Sequence, residues 1–403
     1  MKIAVPPEHI AHILNKLAQE GHDSYIVGGS VRDAVMGRAV NDWDVATTAT
    51  PVEIAGVFPK TVLTGERFGT VTVVLQECQV EVTTFRADGI YADGRHPEEV
   101  KFVTRIDEDL SRRDFTINAM AASAQGDIID PFGGIDDINR KLIRCVGGPN
   151  TRFSEDALRM FRALRFSAEL GFKIEPETLQ AIYANVVLAQ KISSERIRIE
   201  LEKVLLSQRP EIAGEMIKIG LLGKYVSVSG KSPEGLANIS YLPKEPILRW
   251  SAFCALLMEM QYISSATELL QNLHLDGKTI KACSRALPVS ESFPDEKIAI
   301  KRLLSKYDVI VVRAAAAISD IKCGGSALKA TKEVLISDEC FSLDELAIAG
   351  HDLIELGHAK GKGLGETLNK LLEHVINNPD DNKRDVLVKL AGEAKQLDDV
   401  MAL

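Results

Sequence analysis

The sequence predicts an α+β protein in which an N-terminal head with a mixed β-sheet is followed by an all-helical neck, body and tail. Three observations carry this. Between residues 25 and 85, short β-branched runs alternate with turns and helix-start signals. A Gly147-Gly148-Pro149 turn closes that β-rich stretch. From Ser154 onward, apolar residues recur at helical spacing, interrupted by single Gly and Pro breakers. The expected limits are 1–148 for the head, 149–210 for the neck, 211–335 for the body and 336–403 for the tail.

The composition agrees with a large core. The chain has 403 residues with 45% hydrophobic content, enough for two to four domains. Its 48 basic and 57 acidic residues give a net charge of -9, so a nucleic-acid partner would need a local basic groove on an uneven surface. The six cysteines, at 78, 145, 254, 283, 323 and 340, are scattered without a Cys-x-x-Cys pair and read as reduced thiols. Neither a targeting peptide nor an apolar run long enough to span a bilayer is present, which makes the cytoplasm the expected location, with no membrane partner. No obligate protein partner is evident.

Residues 7–20 place Ile10, Ile13, Leu14 and Leu17 on one helical face, with Gly21 as the stop. Tyr25, Ile26 and Val27 then form a short buried strand ended by Gly28 and Gly29. These glycines let the backbone approach an anion closely, and Arg32, on the helix that follows, can reach the same anion with a guanidinium suited to phosphate. Asp42 and Asp44 come next, on a second strand. Alternation would turn both carboxylates to one face and Trp43 to the packed side. Two acids that close repel unless a cation lies between them, and all-oxygen ligation suits Mg²⁺ shared with substrate phosphates. The stretch therefore points to a nucleotide and a metal, against the plainer reading of a Gly-Gly turn and a solvated acidic loop.

Thr50-Pro51-Val52-Glu53 opens a helix with a capping box and proline in its first turn. Val62-Leu63, Thr70 to Leu75 and Gln79 to Phe85 read as strands, with Glu81 facing away from Val80 and Val82. Residues 86–97 contain two Asp-Gly pairs and no periodicity, as in a mobile loop, and His96 has no evident partner there. Arg112, Arg113 and Asp114 precede the mostly apolar run 115–122. Ser154 is the expected N-cap of a helix with Glu155 and Asp156 in its first turn. On that helix Leu158, Phe161 and Leu164 form an apolar stripe, while Asp156, Arg159, Arg162 and Arg165 share another face. Breakers are expected at Gly220, Gly230, Pro243, Pro288 and Gly324-Gly325. The His351-Asp352 pair lacks the further His and Asp residues a metal phosphohydrolase would need. The Gly- and Lys-rich stretch 350–365 is open to two readings, a contact with a nucleic-acid phosphate backbone or a simple loop.

Three motifs in order carry a family resemblance: Gly28-Gly29-Ser30-Val31-Arg32-Asp33 with Asp42-Trp43-Asp44, then Arg112-Arg113-Asp114-Phe115-Thr116-Ile117-Asn118-Ala119, then Glu155-Asp156-Ala157-Leu158-Arg159. Together they resemble the class II CCA-adding tRNA nucleotidyltransferases and the bacterial poly(A) polymerases, of the polymerase-β-like superfamily. The resemblance covers about the first half of the chain. It implies a nucleotidyltransferase head in which Asp42 and Asp44 hold Mg²⁺ and Gly28, Gly29 and Arg32 bind nucleotide. It implies that Arg113 touches the nucleotide and that Asp114 and Asn118 face the ribose hydroxyls. Glu81 matches the third carboxylate that superfamily members carry beside the Asp pair; a solvent-facing strand glutamate fits the pattern equally well.

The resemblance assigns base reading to Asp156 and Arg159, and the chemistry supports it. Cytosine and adenine both present an amino donor beside a ring-nitrogen acceptor, which a carboxylate and a guanidinium match. Uracil reverses both positions, each buried mismatch costing about 1–3 kcal/mol. Arg162 and Arg165 would bear on the triphosphate or lie along the helix face; a salt-bridged solvent face is the alternative for the whole row. The activity implied is addition of CCA to the 3′ end of tRNA from CTP and ATP, without a template. A poly(A) polymerase, an enzyme adding only CC or only A, and a silent RNA-binding module are the rivals. The run Leu63 to Thr70 resembles the CCA-adding form, and the full-length 86–97 stretch disfavours a CC-only enzyme.

Overall fold

The computed structural model of the chain describes residues 2–76, 78–89, 100–227 and 233–401. It divides into two compact units, Met1–Ser232 and Pro233–Leu403. In the first, helix α1 (Glu8–Gln19) buries Ile10, Ile13, Leu14 and Leu17, the apolar face its spacing predicts. Strand β1 (Ser24–Val27), helix α2 (Gly29–Val35), strand β2 (Asp44–Thr47) and helix α3 (Pro51–Val57) follow. The capping box of α3 is formed, with the Thr50 N–H donating to Glu53 Oε2 at 2.7 Å.

Strands β3 (Thr61–Gly65), β4 (Thr70–Val74) and β5 (Gln79–Thr84) complete one side of the sheet. After β6 (Arg86–Asp88), β7 (Val100–Phe102) and helix α4 (Ile106–Ser111), strands β8 (Ala121–Ala122) and β9 (Ile128–Ile129) complete the other. The order is β3-β4-β5-β2-β1-β8-β9. Within this sheet, among the described residues, β2 and β5 run parallel and the other neighbours antiparallel, so the sheet is mixed, as expected. Strands β6 and β7 pair with each other, so 86–88 is strand; residues 90–97 of the expected loop, His96 among them, lie outside the described residues. Val27, Ala46, Phe85, Leu110 and Ala121 are buried together in one apolar cluster.

Helices α5 (Gly134–Arg140), α6 (Pro149–Glu155), α7 (Leu158–Leu170), α8 (Pro176–Asn185), α9 (Ser194–Leu206) and α10 (Ile212–Ile219) follow. Ser154 lies inside α6 and is not an N-cap; Pro149, with its φ already suited to a helix, starts that helix at its first position. The chain breaks instead at Asp156, whose extended φ of -142° ends α6, and its carboxylate accepts the Leu158 N–H at 3.1 Å to open α7.

Beyond Ile174 the described residues form helices and turns only. In the second unit, helices Pro246–Glu259, Gly277–Ser290 and Val309–Cys323 pack together, and Trp250 and Phe253 of the first, both buried, meet edge to face at 5.9 Å. Pro288 does not break the chain as expected; it sits in the last turn of Gly277–Ser290, where its missing N–H removes one i→i−4 bond and the helix ends two residues later. Arg249, 1% exposed, donates to the carbonyls of Leu242 and Pro243 and closes the end of the turn before its helix. Leu371, Leu372 and Val375 of Lys362–Asn377 pack with Leu353, Leu387 and Ala391. Among the described residues no helix is long and apolar enough to cross a membrane, and the six cysteines are unpaired.

Candidate active site

The end of β1, the start of α2, the residue run before β2, the segment after α4 and the α6–α7 break all converge on one cavity of about 630 Å³. Eight arginines and five aspartates line it among the described residues, so a chain of net charge -9 concentrates positive charge at this point. A larger cavity of about 1210 Å³ lies in the second unit, but its acids are engaged, Glu245 by Arg313 and Asp320 by the N–H groups of Ala327 and Leu328.

Gly28 has φ +76°, a conformation L side chains rarely adopt, and a Cβ there would stand 2.9 Å from Arg113 Nη1. The backbone path therefore demands glycine, and the bare Gly28 leaves room for the Arg113 guanidinium. Arg32 projects from α2 into the cavity, donating to Asn118 Oδ1 at 2.7 Å and through Nε and Nη2 to Asp33 at 3.1 and 3.0 Å. Its guanidinium also lies 5.2 Å from the Phe166 ring centre, which Arg162 and Arg165 approach at 5.4 and 3.9 Å.

The paired acids are arranged differently from the expectation. Strand β2 begins at Asp44, so Asp42 is exposed in the preceding segment and Trp43 is half-buried rather than packed inside. Burial pushes the Asp44 carboxyl up, the negative charges of Asp42 and Glu81 add to this, and Arg113 opposes it, leaving Asp44 at about 6. Glu81 is the partner of Asp44 in the parallel β2–β5 register, which puts the two on one face, although Glu81 is exposed and outside the cavity wall. These hard oxygen donors, repelling one another, fit a divalent cation. Among the described residues no three or more His, Cys, Asp or Glu side chains are gathered to hold a metal by themselves, so a cation here would take further oxygens from substrate and water.

Asp114 is buried and crowded with donors. Its Oδ1 accepts from the Phe115 N–H at 2.8 Å and Asn118 Nδ2 at 3.2 Å, and its Oδ2 from Arg162 Nε at 2.7 Å. Burial alone would raise its carboxyl, but Arg162 and these bonds outweigh burial and bring it to about 2. Arg159, 8% exposed, donates to Glu155 Oε2 at 2.6 Å and to the Arg112 carbonyl at 2.9 Å. Asp156 receives Arg196 of α9 on Oδ2 at 2.8 Å. Arg165, 7% exposed, pairs with Glu200 at 2.6 Å and Glu169 at 2.9 Å. Asp156, Arg159 and Arg165 thus face a charged interior, whereas Arg162 is about one-third exposed to the cavity and solvent.

Gly28, Gly29, Arg32, Asp42, Asp44, Arg113, Asp114, Asn118, Asp156, Arg159, Arg162 and Arg165 all line the one cavity; of the sequence candidates, only Glu81 does not. The sequence reading missed Arg38, Phe166 and Arg196 in the wall, and the buried Asp109 and Glu200 behind it. Arg196 and Glu200 stand four apart on α9, a spacing that marks one helical face but not what it meets.

Comparison with known proteins places this geometry. Residues 24–144 match the family described as the poly A polymerase head domain, residues 171–224 one described as an RNA- and SrmB-binding site of polymerase A, and residues 247–391 one described as tRNA nucleotidyltransferase domain 2. The CCA-adding enzyme of Bacillus velezensis is 38% identical over 370 residues, 90% of this chain and 92% of that protein. That of Limosilactobacillus fermentum is 36% identical over 411 residues, covering 98% and 99%. The crystal structure of the Bacillus stearothermophilus CCA-adding enzyme in complex with CTP superimposes with a TM-score of 0.80 at 32% identity, covering 98% of this chain and 99% of that one. The chain belongs to the CCA-adding enzymes, a family of tRNA nucleotidyltransferases.

Proposed function

We propose that this protein adds CCA to the 3′ end of tRNA without a template, taking CTP and ATP in turn and releasing pyrophosphate. The observation that carries the reading is the single cavity in which an acidic pair, a cluster of arginines and the Asp156–Arg159 pair meet. The relatives that bear the name, and the CTP-bound relative among them, support the substrates.

In this reading Asp42 and Asp44 hold Mg²⁺, with Glu81 as a neighbouring carboxylate. The bound cation would favour ionisation of the primer's 3′-hydroxyl and offset charge on the leaving pyrophosphate. The backbone at Gly28 and Gly29, with Arg32 and Arg113, holds the triphosphate. Asp114 stays ionised at any physiological pH, so its part is to fix Asn118 and Arg162 at the ribose side. Asp156 accepts the amino group common to cytosine and adenine, and Arg159 donates to the ring nitrogen beside it. Each Asp156 oxygen already receives one donor but has a second lone pair for a base. Arg165 braces α7 against α9 through Glu200.

We assign residues 1–148 to the catalytic head, 149–210 to the neck, 211–335 to the body and 336–403 to a tRNA-contacting tail, acting in the cytoplasm. The test is incubation with Mg²⁺ and tRNA lacking its last three nucleotides, supplying CTP and ATP separately and together. Two additions with CTP alone and three with both support the proposal. A run of A with ATP alone would identify a poly(A) polymerase, and a stop after CC with both substrates a partial enzyme.

A further inference from the structure

Asp109 is absent from the cavity wall, yet it anchors two arginines that are part of it. It lies on α4, three residues before Arg112 and four before Arg113, and its side chain is 0% exposed. That spacing puts all three on one side of the chain. Oδ1 accepts from Arg112 Nε and Nη2 at 3.0 and 2.9 Å and from the Arg86 N–H at 3.3 Å; Oδ2 accepts from Arg113 Nη2 at 3.1 Å.

Two features of this cluster bear on the reaction. One carboxylate serves two guanidiniums, and Arg113 also lies beside Asp44, whose carboxyl its charge lowers. Arg113 Nε is buried and has no hydrogen-bond partner among the described residues, which leaves the Nη2 contact with Asp109 to orient the guanidinium. Its Nη1 consequently rests against Gly28, in the space a Cβ would otherwise fill.

We infer that Asp109 is a positioning residue that holds the still-charged Arg113 guanidinium against Gly28, and that it thereby sets how tightly the protein binds nucleoside triphosphates. The inference rests on the proposed reading of this cavity as the triphosphate site. A carboxylate that served only to stabilise α4 would change the amount of folded enzyme and leave the affinity of each folded molecule unchanged.

The experiment measures initial rates of CTP addition to tRNA lacking CCA, and of ATP addition to tRNA ending in CC, against nucleotide concentration. Asp109→Asn keeps the shape and removes the charge. Loss of one charged hydrogen bond to Arg113 should raise KM for CTP and for ATP alike by about tenfold, with kcat within about threefold of wild type. Arg113→Ala should raise KM as well, and adding Asp109→Asn to it should cause no further rise, because Asp109 acts on affinity through Arg113 and not through its bonds to Arg112. An unchanged KM, a fall in kcat alone, or additive effects in the double variant would overturn the inference. Should Asp109→Asn fail to fold, Asp109→Glu, which keeps the charge but displaces it, should raise both KM values, and unchanged values there would overturn it equally. No addition by the wild type overturns the reading of the cavity itself, whereas normal addition with unchanged KM in the variants overturns this inference alone.

Discussion

Replacing Asp156 with Ala separates base reading from fold stability, because the carboxylate serves both. It caps α7 through the Leu158 N–H and pairs with Arg196 across to α9, the two side chains being 16% and 20% exposed. Loss of the cap should cost about 1 kcal/mol and loss of a partly screened ion pair about another 1 kcal/mol. For a unit of this size that lowers Tm by roughly 4–8 °C, leaving the protein folded at room temperature. Selectivity should change by more. The amino group of cytosine loses its acceptor, about 1–3 kcal/mol, and the repulsion that rejects the uracil carbonyl disappears as well. Each 1.4 kcal/mol is about tenfold, so the ratio of kcat/KM for CTP over UTP should fall about ten- to a hundredfold. The assay is single-nucleotide incorporation into tRNA lacking its terminus, with each triphosphate alone. A CTP to UTP ratio equal to that of the wild type, in a variant whose Tm has dropped as stated, would refute base reading by Asp156 and leave it a helix cap.

Three further outcomes follow from the same geometry. Asp42→Ala or Asp44→Ala should abolish nucleotide addition while gel-shift affinity for tRNA stays within about twofold, a change too small to reflect a lost phosphate contact; normal turnover by either variant would remove the acidic pair from the reaction. Asp44 is raised from 3.8 to about 6 in the folded state, so the folded chain binds the proton more tightly than the unfolded one and stability declines as pH rises through that window. A divalent cation that relieves the repulsion should therefore raise Tm more at about pH 7.5 than at about pH 5, and equal shifts would contradict cation binding at Asp44. Asp114 is depressed to about 2, so its contribution is complete above 3.8 and is lost as pH falls through 2. Asp114→Asn should cost about 1–2 kcal/mol at neutral pH, because Arg162 loses its carboxylate but is partly solvated, and a urea midpoint unchanged from wild type would count against this.

What the sequence made legible was whatever is set by near neighbours in the chain. The buried face of α1, the capping box at Thr50 and Glu53, the strand before Gly28 and the glycine requirement at the β1–α2 turn all follow from residues within a few positions of each other. Ser154 misled because Ser-Glu-Asp is a strong local helix-start pattern; Gly148-Pro149 six residues earlier won, since proline at the first helical position presets the backbone. The strand was placed around Asp42 because Asp-x-Asp suggests alternation, whereas pairing with β1 extends only to Asp44. Arg196 and Glu200 escaped notice for a different reason: their meaning lies in contacts with Asp156 and Arg165, which join helices that no local pattern pairs. Asp109 stands at helical spacing from Arg112 and Arg113, but that spacing reads as an ordinary surface ion pair and does not show that the carboxylate is buried.

The most direct test of the account is the sequence of the 3′ ends made from tRNA lacking its terminus when the wild-type protein is given Mg²⁺ and all four nucleoside triphosphates together. A cavity that accepts an amino group at Asp156 and rejects a carbonyl there should yield tRNA ending in CCA and then stop. Ends carrying U or G in those three positions, or a continuing run of A, would contradict it.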